Sequence, residues 1–297
     1  MKVFITGITG YIGSVIAQHF LSQGYQVSGL VRSQEKAVQL AKMGISPVMG
    51  SLSDLSLLEE SVKKADGVVH TAISHTSDME MLDVSSVNTM LGGLEGTGNP
   101  FIYTSGTLIY NDTFQDIVDE ESDLNPLPFL QWKVDQEQKV LAAALRNIRT
   151  IVIRPTLVYG HGGGLVQATI KRAKLFQSAK YINDGQNAWS TIDIDDLAKL
   201  YVCAYSKAKP GSLFNATSNE LITTKELMRS VGKIAGVEKI ESWSYEEAVK
   251  EIGPAAWGAS INQRVSGLRA EQQLQWRPTA NSILKEIEEG SYQTHPK

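Results

Sequence analysis

The sequence contains one cysteine, Cys203, no dense run of lysine or arginine, and no apolar stretch near the ~18 residues that a bilayer-spanning helix requires. Each lack excludes something. A single thiol closes no intrachain disulfide, so nothing calls for an oxidising compartment, and a cytoplasmic location is expected. With 28 Lys and Arg against 32 Asp and Glu, the formal net charge is −4, and the electrostatic footprint of a nucleic-acid or anionic-membrane binder is missing. Neither partner is expected, and any phosphate would have to be bound locally. Five scattered histidines and one cysteine show no metal-ligand spacing, so no metal is expected. No serine sits in the Gly-x-Ser-x-Gly elbow of hydrolases. The opening run Met1 to Thr6, ended by Gly7, is too short for a signal-peptide core. No internal repeat or low-complexity linker interrupts the chain. What is there suffices for a large core: 297 residues, 42% of them apolar, predict about two domains or one elaborated one.

Strand-like and helix-like patterns alternate through the first half, the signature of βαβ units wound into a parallel sheet. Short apolar, β-branched runs predict strands at Val3 to Thr6, Gln26 to Val31, Ser46 to Met49, Gly67 to Thr71, Phe101 to Thr104 and Thr150 to Arg154. Helical patterns cover Ile12 to Ser22, Gln34 to Met43, Ser56 to Lys64 and Trp132 to Leu145, the third opening on a capping box of Ser56 and Glu59. Beyond Arg154 the pattern is irregular. His161 to Gly164 marks a loop, followed by helix-like stretches from Leu165 to Ser178, Ile194 to Lys207, Thr224 to Ala235 and Ser282 to Glu289. The expected architecture is α/β: a Rossmann doubly wound parallel sheet over residues 1–158, to which 190–207 returns, and a smaller C-terminal α/β lobe over 159–297.

The first predicted strand runs into Gly7-Ile8-Thr9-Gly10-Tyr11-Ile12-Gly13 and then into a helix. Glycines at this spacing give a tight turn, let backbone approach a pyrophosphate without an intervening Cβ, and allow close helix-on-strand packing. The helix N-terminus then offers free amides and a partial positive charge to phosphate oxygens. Position in a βαβ series separates this turn from an ordinary glycine-rich one. At the end of the second strand stand Arg32 and Ser33. A carboxylate there would bond a ribose 2′-hydroxyl, whereas arginine suits a 2′-phosphate, so the expected cofactor is NADP, with NAD less favoured. The alternative for Arg32 is a plain solvated side chain.

The glycine turn and three further segments resemble the short-chain dehydrogenase/reductase superfamily, in its extended and atypical branch related to NAD-dependent epimerases and dehydratases. Thr6 to Gly13 is similar to that branch's Thr-Gly-x-x-Gly-x-x-Gly turn. Val69-His70-Thr71-Ala72 resembles the fourth-strand segment lining the cofactor, Arg154-Pro155-Thr156-Leu157-Val158-Tyr159-Gly160 the segment flanking the nicotinamide, and Ile194-Asp195-Asp196-Leu197-Ala198 the start of a helix near the substrate lobe. The resemblance implies cofactor contacts from Gly7, Thr9, Gly10, Tyr11, Ile12, Gly13, Arg32, Ser33, His70, Thr71, Ala72, Thr104, Lys133, Pro155 and Leu157. Asp54 falls where relatives bond the adenine amino group; a turn or near-cap role ahead of Ser56 competes with it.

Relatives use a Tyr to move a proton, a Lys four residues on to lower its pKa and hold the ribose, and a Ser or Thr to orient the substrate oxygen. In Pro126-Leu127-Pro128-Phe129-Leu130-Gln131-Trp132-Lys133 the lysine is kept, but Phe129 takes the tyrosine position and has no proton to give. Aligned without gaps on Tyr110, Gly106 takes the Ser/Thr position, and a one-residue shift would restore Ser105 or Thr107. Candidate catalytic residues are therefore Lys133, Ser105, Thr107 and Tyr110, with Tyr103, Tyr159, His75 and His161 as further substitutes. Phe129, Tyr159 and Trp189 are expected on the substrate side; ordinary packing roles compete for Tyr159 and Trp189. Cys203 reads as a buried apolar thiol. The expected function is an NADP-binding oxidoreductase or epimerase-like enzyme acting on a small carbonyl or sugar-like substrate through a nonstandard proton relay. The alternative is a catalytically silent NADP(H) redox sensor, and the resemblance also implies a homodimer.

Overall fold

The computed structural model describes residues 1–74 and 76–293; His75, one of the loop histidines weighed above, lies outside them. Along the chain run β1 (Lys2–Thr6), α1 (Tyr11–Ser22), β2 (Gln26–Val31), α2 (Gln34–Lys42), β3 (Ser46–Met49), α3 (Leu55–Lys63), β4 (Gly67–His70), α4 (Met79–Leu94), β5 (Pro100–Thr104), α5 (Gln131–Ala142) and β6 (Arg149–Pro155). Then come β7 (Leu157–Tyr159), α6 (Gly164–Phe176), β8 (Ala179–Ile182), β9 (Ala188–Asp193), α7 (Ile194–Lys207), β10 (Ser212–Ala216), β11 (Leu221–Thr223), α8 (Thr224–Ala235), β12 (Ile240–Trp243), α9 (Tyr245–Ile252), α10 (Ala255–Ser260), α11 (Leu268–Leu274) and α12 (Ile283–Glu289).

The central sheet has seven strands in the order β10-β6-β5-β4-β1-β2-β3, all parallel, so the strand order reverses between β1 and β4. Alternating side chains sort onto two buried faces. Val3, Ile5, Val69, Ile102 and Ile153 face α1, α2, α7 and α11. Phe4, Val68, Phe101, Tyr103 and Val152 face α3, α4 and α5. This register puts Tyr103 on the α4 and α5 side. A second core, among α6, α8 and α12, takes in Tyr159 and has Leu157 and Trp189 packed against it.

Besides α7, the second half returns β10, which pairs with β6 and buries Phe214 and Ala216, and α11 with Trp276, which pack in the α1 and α7 cluster. The capping box expected at Ser56 and Glu59 does not form, because α3 begins one residue earlier and the Asp54 carboxylate turns back to the Ser51 amide and hydroxyl, 2.7 and 3.0 Å away. Capping boxes close α8 at Thr223 and Glu226 and α9 at Ser244 and Glu247. The helix missed between β4 and β5 is α4, whose buried face, Asp83, Ser86, Val87, Met90, Leu91 and Leu94, has helical spacing but opens on two polar residues. No described helix is long and apolar enough to cross a membrane.

Candidate active site

The reversal of strand order leaves a crevice at the carboxyl ends of β1 and β4, the position at which doubly wound sheets bind ligands. Gly7 adopts φ +74°, and a Cβ there would stand 2.6 Å from the Ala72 amide nitrogen. A Cβ on Gly13 would collide with the Gly7 carbonyl and come within 2.7 Å of Thr71 Oγ1, so α1 starts as close to β4 as backbone allows. The Thr71 hydroxyl locks the turn by donating to the Thr6 carbonyl at 2.8 Å. Gly10 caps α1 and has no side chain to satisfy the first-turn amides; Thr9 and Gly10 are exposed. These open donors on a helix N-terminus fit the diphosphate of a dinucleotide.

The predicted cofactor residues divide here. Gly7, Thr9, Gly10, Gly13, Thr71 and Ala72 gather at the turn, with Ile12 partly buried beside it. Tyr11 contributes only backbone: its hydroxyl donates to the Gly160 carbonyl at 2.9 Å and its ring lies under Gly163 and Gly164. Arg32 is exposed just past β2, and Ser33 caps α2, its hydroxyl accepting from the Lys36 amide at 3.3 Å. Asp54 is in the turn described above. Pro155 is buried at the end of β6, and Leu157 packs into the second-lobe core.

His70 does not line the crevice. It is buried, with Nδ1 at 2.7 Å from Thr6 Oγ1 and Nε2 at 3.4 Å from Asp83 Oδ1, and its ring stacks on Tyr103. Asp83 Oδ2 accepts from the Tyr103 hydroxyl at 2.8 Å, and that hydroxyl accepts from Lys133 Nζ at 2.8 Å. Lys133 Nζ also lies 3.6 Å from Asp83 Oδ1 and 4.6 Å from the Tyr103 ring centre. Burial pushes the Lys133 amine below the usual lysine range, while Asp83 and Glu137 pull it back up in part. Burial works against the Asp83 charge, yet bonds and charge from His70, Lys133 and Tyr103 hold its carboxyl below the usual range. Tyr103 is raised well above an ordinary phenol by burial and by Asp83.

The tyrosines weighed as replacement acids are engaged elsewhere. Tyr110 is buried in the single turn Thr107–Tyr110, where its hydroxyl accepts from Arg154 at 2.7 Å and faces the Asp119 carbonyl and Asn215 Oδ1 at 2.8 and 3.0 Å. Arg154 in turn grips Glu137 through two oxygens at 3.0 and 3.1 Å. Breaking such a buried pair from one side costs about 3–5 kcal/mol, and this one anchors α5 a turn beyond Lys133. The Tyr159 hydroxyl donates to the Asn281 carbonyl at 2.6 Å, and the Trp189 indole to the Ile261 carbonyl at 3.0 Å. Tyr159 is buried in the second-lobe core and Trp189, partly buried, packs against it. His161 pairs with Asp195 at 2.8 Å. Thr104 Oγ1 lies 2.7 Å from the Tyr201 hydroxyl, Thr107 is buried, and Ser105 Oγ is buried with no protein partner. Phe129 is the most exposed of the predicted substrate residues, at 53%, and packs edge-on against Trp257.

Sequence reasoning missed Asp83 and Trp257. For Asp83 the signal was present: a carboxylate on the same helical stripe as Val87, Met90, Leu91 and Leu94 must find a buried partner. Trp257 carried none, because it lies on α10, remote in sequence from its neighbour Phe129.

A doubly wound sheet with a phosphate turn and a buried lysine on α5 defines a dinucleotide-dependent class, and residues 3–216 match the model of the NAD dependent epimerase/dehydratase family. The chain belongs to that family. An uncharacterized protein of Schizosaccharomyces pombe is 33% identical over 298 residues, covering 98% of this chain and 100% of that protein. The sterol-4-alpha-carboxylate 3-dehydrogenase, decarboxylating, of Dictyostelium discoideum is 26% identical and covers 80% of this chain and 77% of its own. Among solved structures, the dTDP-glucose 4,6-dehydratase of Bacillus anthracis in complex with NAD superposes with a TM-score of 0.82 at 18% identity, covering 98% of this chain and 95% of that one.

Proposed function

We propose that the protein is an NADP-dependent oxidoreductase acting on a small carbonyl substrate, with the Lys133 ammonium as the proton donor in place of the tyrosine that Phe129 has displaced. The observation that carries this reading is the buried bond from Lys133 Nζ to the Tyr103 hydroxyl at 2.8 Å, backed by Asp83. When bound, the nicotinamide supplies a hydride to the carbonyl carbon. Lys133 gives its proton to the carbonyl oxygen, yielding an alcohol, and regains one from water once the product leaves. An amine pushed down from the ordinary lysine range is a better acid at neutral pH than an exposed one. Tyr103 and Asp83 position it: the phenol takes one ammonium proton in a hydrogen bond, and the carboxylate keeps the phenol pointed. The Lys133 side chain is 11% exposed.

Arg32, exposed at the end of β2 with Ser33 beside it, supports NADP over NAD, since a guanidinium pairs with a 2′-phosphate. A cytoplasmic location agrees with the single thiol, and a homodimer is what family membership suggests. The test is NADPH oxidation with a panel of aldehydes and ketones. The parent chain should turn over, and Lys133→Ala should lower the rate by ~10²–10⁴-fold. Parent and Phe129→Tyr both silent, though stabilised by NADPH, would support a redox sensor instead.

A further inference from the structure

A cleft beside Lys133 bears on the substrate: Trp132, whose ring centre lies 4.9 Å from Lys133 Nζ, forms one of its walls. This cleft of about 520 Å³, within the range of small-molecule sites, opens between the N-terminal turns of α4 and α5. Its walls include Phe129 and Trp132, two acidic side chains, Glu80 and Asp135, and no lysine or arginine among the described lining residues. One lining residue, Phe129, also packs against an apolar side chain from a separate segment. Phe129 is 53% exposed on the turn preceding α5, its ring edge-on to Trp257 of α10 with centres 6.0 Å apart. Leu108, exposed, lies against α10 at Gly258.

A sugar nucleotide would bring two phosphate charges to this place and meet carboxylates with no cation to offset them. The positive charge of Lys133 is already balanced by Asp83, 3.6 Å away. A phenyl group at 129 also offers no hydrogen bond to a sugar hydroxyl. An uncharged flat ring would instead cover the exposed face of Phe129 and stack against Trp257.

Resting on the oxidoreductase reading, we propose that the substrate is an uncharged, flat aryl ketone, aldehyde or enone held by Phe129 and Trp257, and that diphosphate-bearing sugars are excluded by Glu80 and Asp135. The chemistry is that already written: hydride to carbonyl carbon, proton to carbonyl oxygen, aryl alcohol as product.

Benzylideneacetone and UDP-glucose serve as probes, titrated calorimetrically into the full chain with and without saturating NADP. Benzylideneacetone should bind and UDP-glucose should not. Phe129→Ala and Trp257→Ala should each weaken benzylideneacetone at least tenfold while the NADP-induced rise in melting temperature stays unchanged, and Glu80→Lys with Asp135→Lys should admit UDP-glucose. Tighter binding of UDP-glucose than of benzylideneacetone by the parent chain overturns the proposal, as does no binding of benzylideneacetone or equal binding by parent, Phe129→Ala and Trp257→Ala. Absence of any NADP effect counts against the oxidoreductase reading, while the order of the two probes without NADP still decides this one.

Discussion

Lys133 is a charge held where charge is costly. Burial favours its neutral form, and Asp83 and Glu137 favour its ammonium form, so the balance between them sets the pH at which the proton donor is lost. Replacing Asp83 with Asn removes one of the two groups that hold the proton on. The amine then deprotonates at lower pH, and the alkaline decline of kcat for carbonyl reduction should move toward lower pH. A pH-rate profile of Asp83→Asn beside the parent checks this; superimposable alkaline limbs would remove Asp83 from the relay. Tyr103→Phe gives a second reading on the same residue. The phenol carries no charge at neutral pH, so its loss should lower kcat more than it shifts the limb, as a positioning group would, with KM little changed. Lysine at 133 and phenylalanine at 129 were legible as residue types. The direction each side chain takes was not, since Tyr103, Tyr110 and Tyr159 look alike in sequence and differ only in what packs around their hydroxyls.

At the scale of elements, α1 carries the site because nothing intervenes between its first turn and β4. A Cβ on Gly13 would run into the Gly7 carbonyl and crowd Thr71, both parts of the turn that must stay fixed. Gly13→Ala should therefore cost ~1–3 kcal/mol in urea unfolding and abolish the NADPH-induced rise in melting temperature. Gly10→Ala, whose Cβ would meet only the Gly7 carbonyl at 3.1 Å, should cost less stability and retain part of that rise. Gly13→Ala unfolding with the parent's midpoint would refute the close-packing argument. The first-half strands were legible because each is buried on both faces and so reads as a continuous apolar run. Helix α4 was not, because Asp83 and Ser86 occupy two core positions and break the apolar period. A right-handed crossover between parallel neighbours β4 and β5 nonetheless required a connection of that kind.

For the whole molecule, cofactor choice is the property most open to measurement. NADPH at ~100 times its Kd should add about 2.7 kcal/mol to stability, seen as a higher melting temperature. Arg32→Asp should remove most of that gain for NADPH and make NADH the better stabiliser, because a carboxylate repels a 2′-phosphate and accepts from a 2′-hydroxyl. An unaltered order of the two would place Arg32 outside the site. The linkage between units matters as well. Tyr11 of α1 donates to Gly160, and Tyr292 accepts from the Gly160 amide at 2.8 Å, so the phosphate turn is tied to the second lobe through one loop.

The amino-acid sequence by itself determined the Rossmann half, the glycine turn, the retained lysine and the missing tyrosine. Those features are local: strand burial, turn conformation and side-chain chemistry are written within a few residues. Only the tertiary structure decided that β10 and α11 complete the first unit, that His70, Asp83, Tyr103 and Lys133 form one buried chain, and that Trp257 faces Phe129. Each of these joins residues distant in sequence, and packing across the sheet and between lobes, not any local pattern, selects which of them meet.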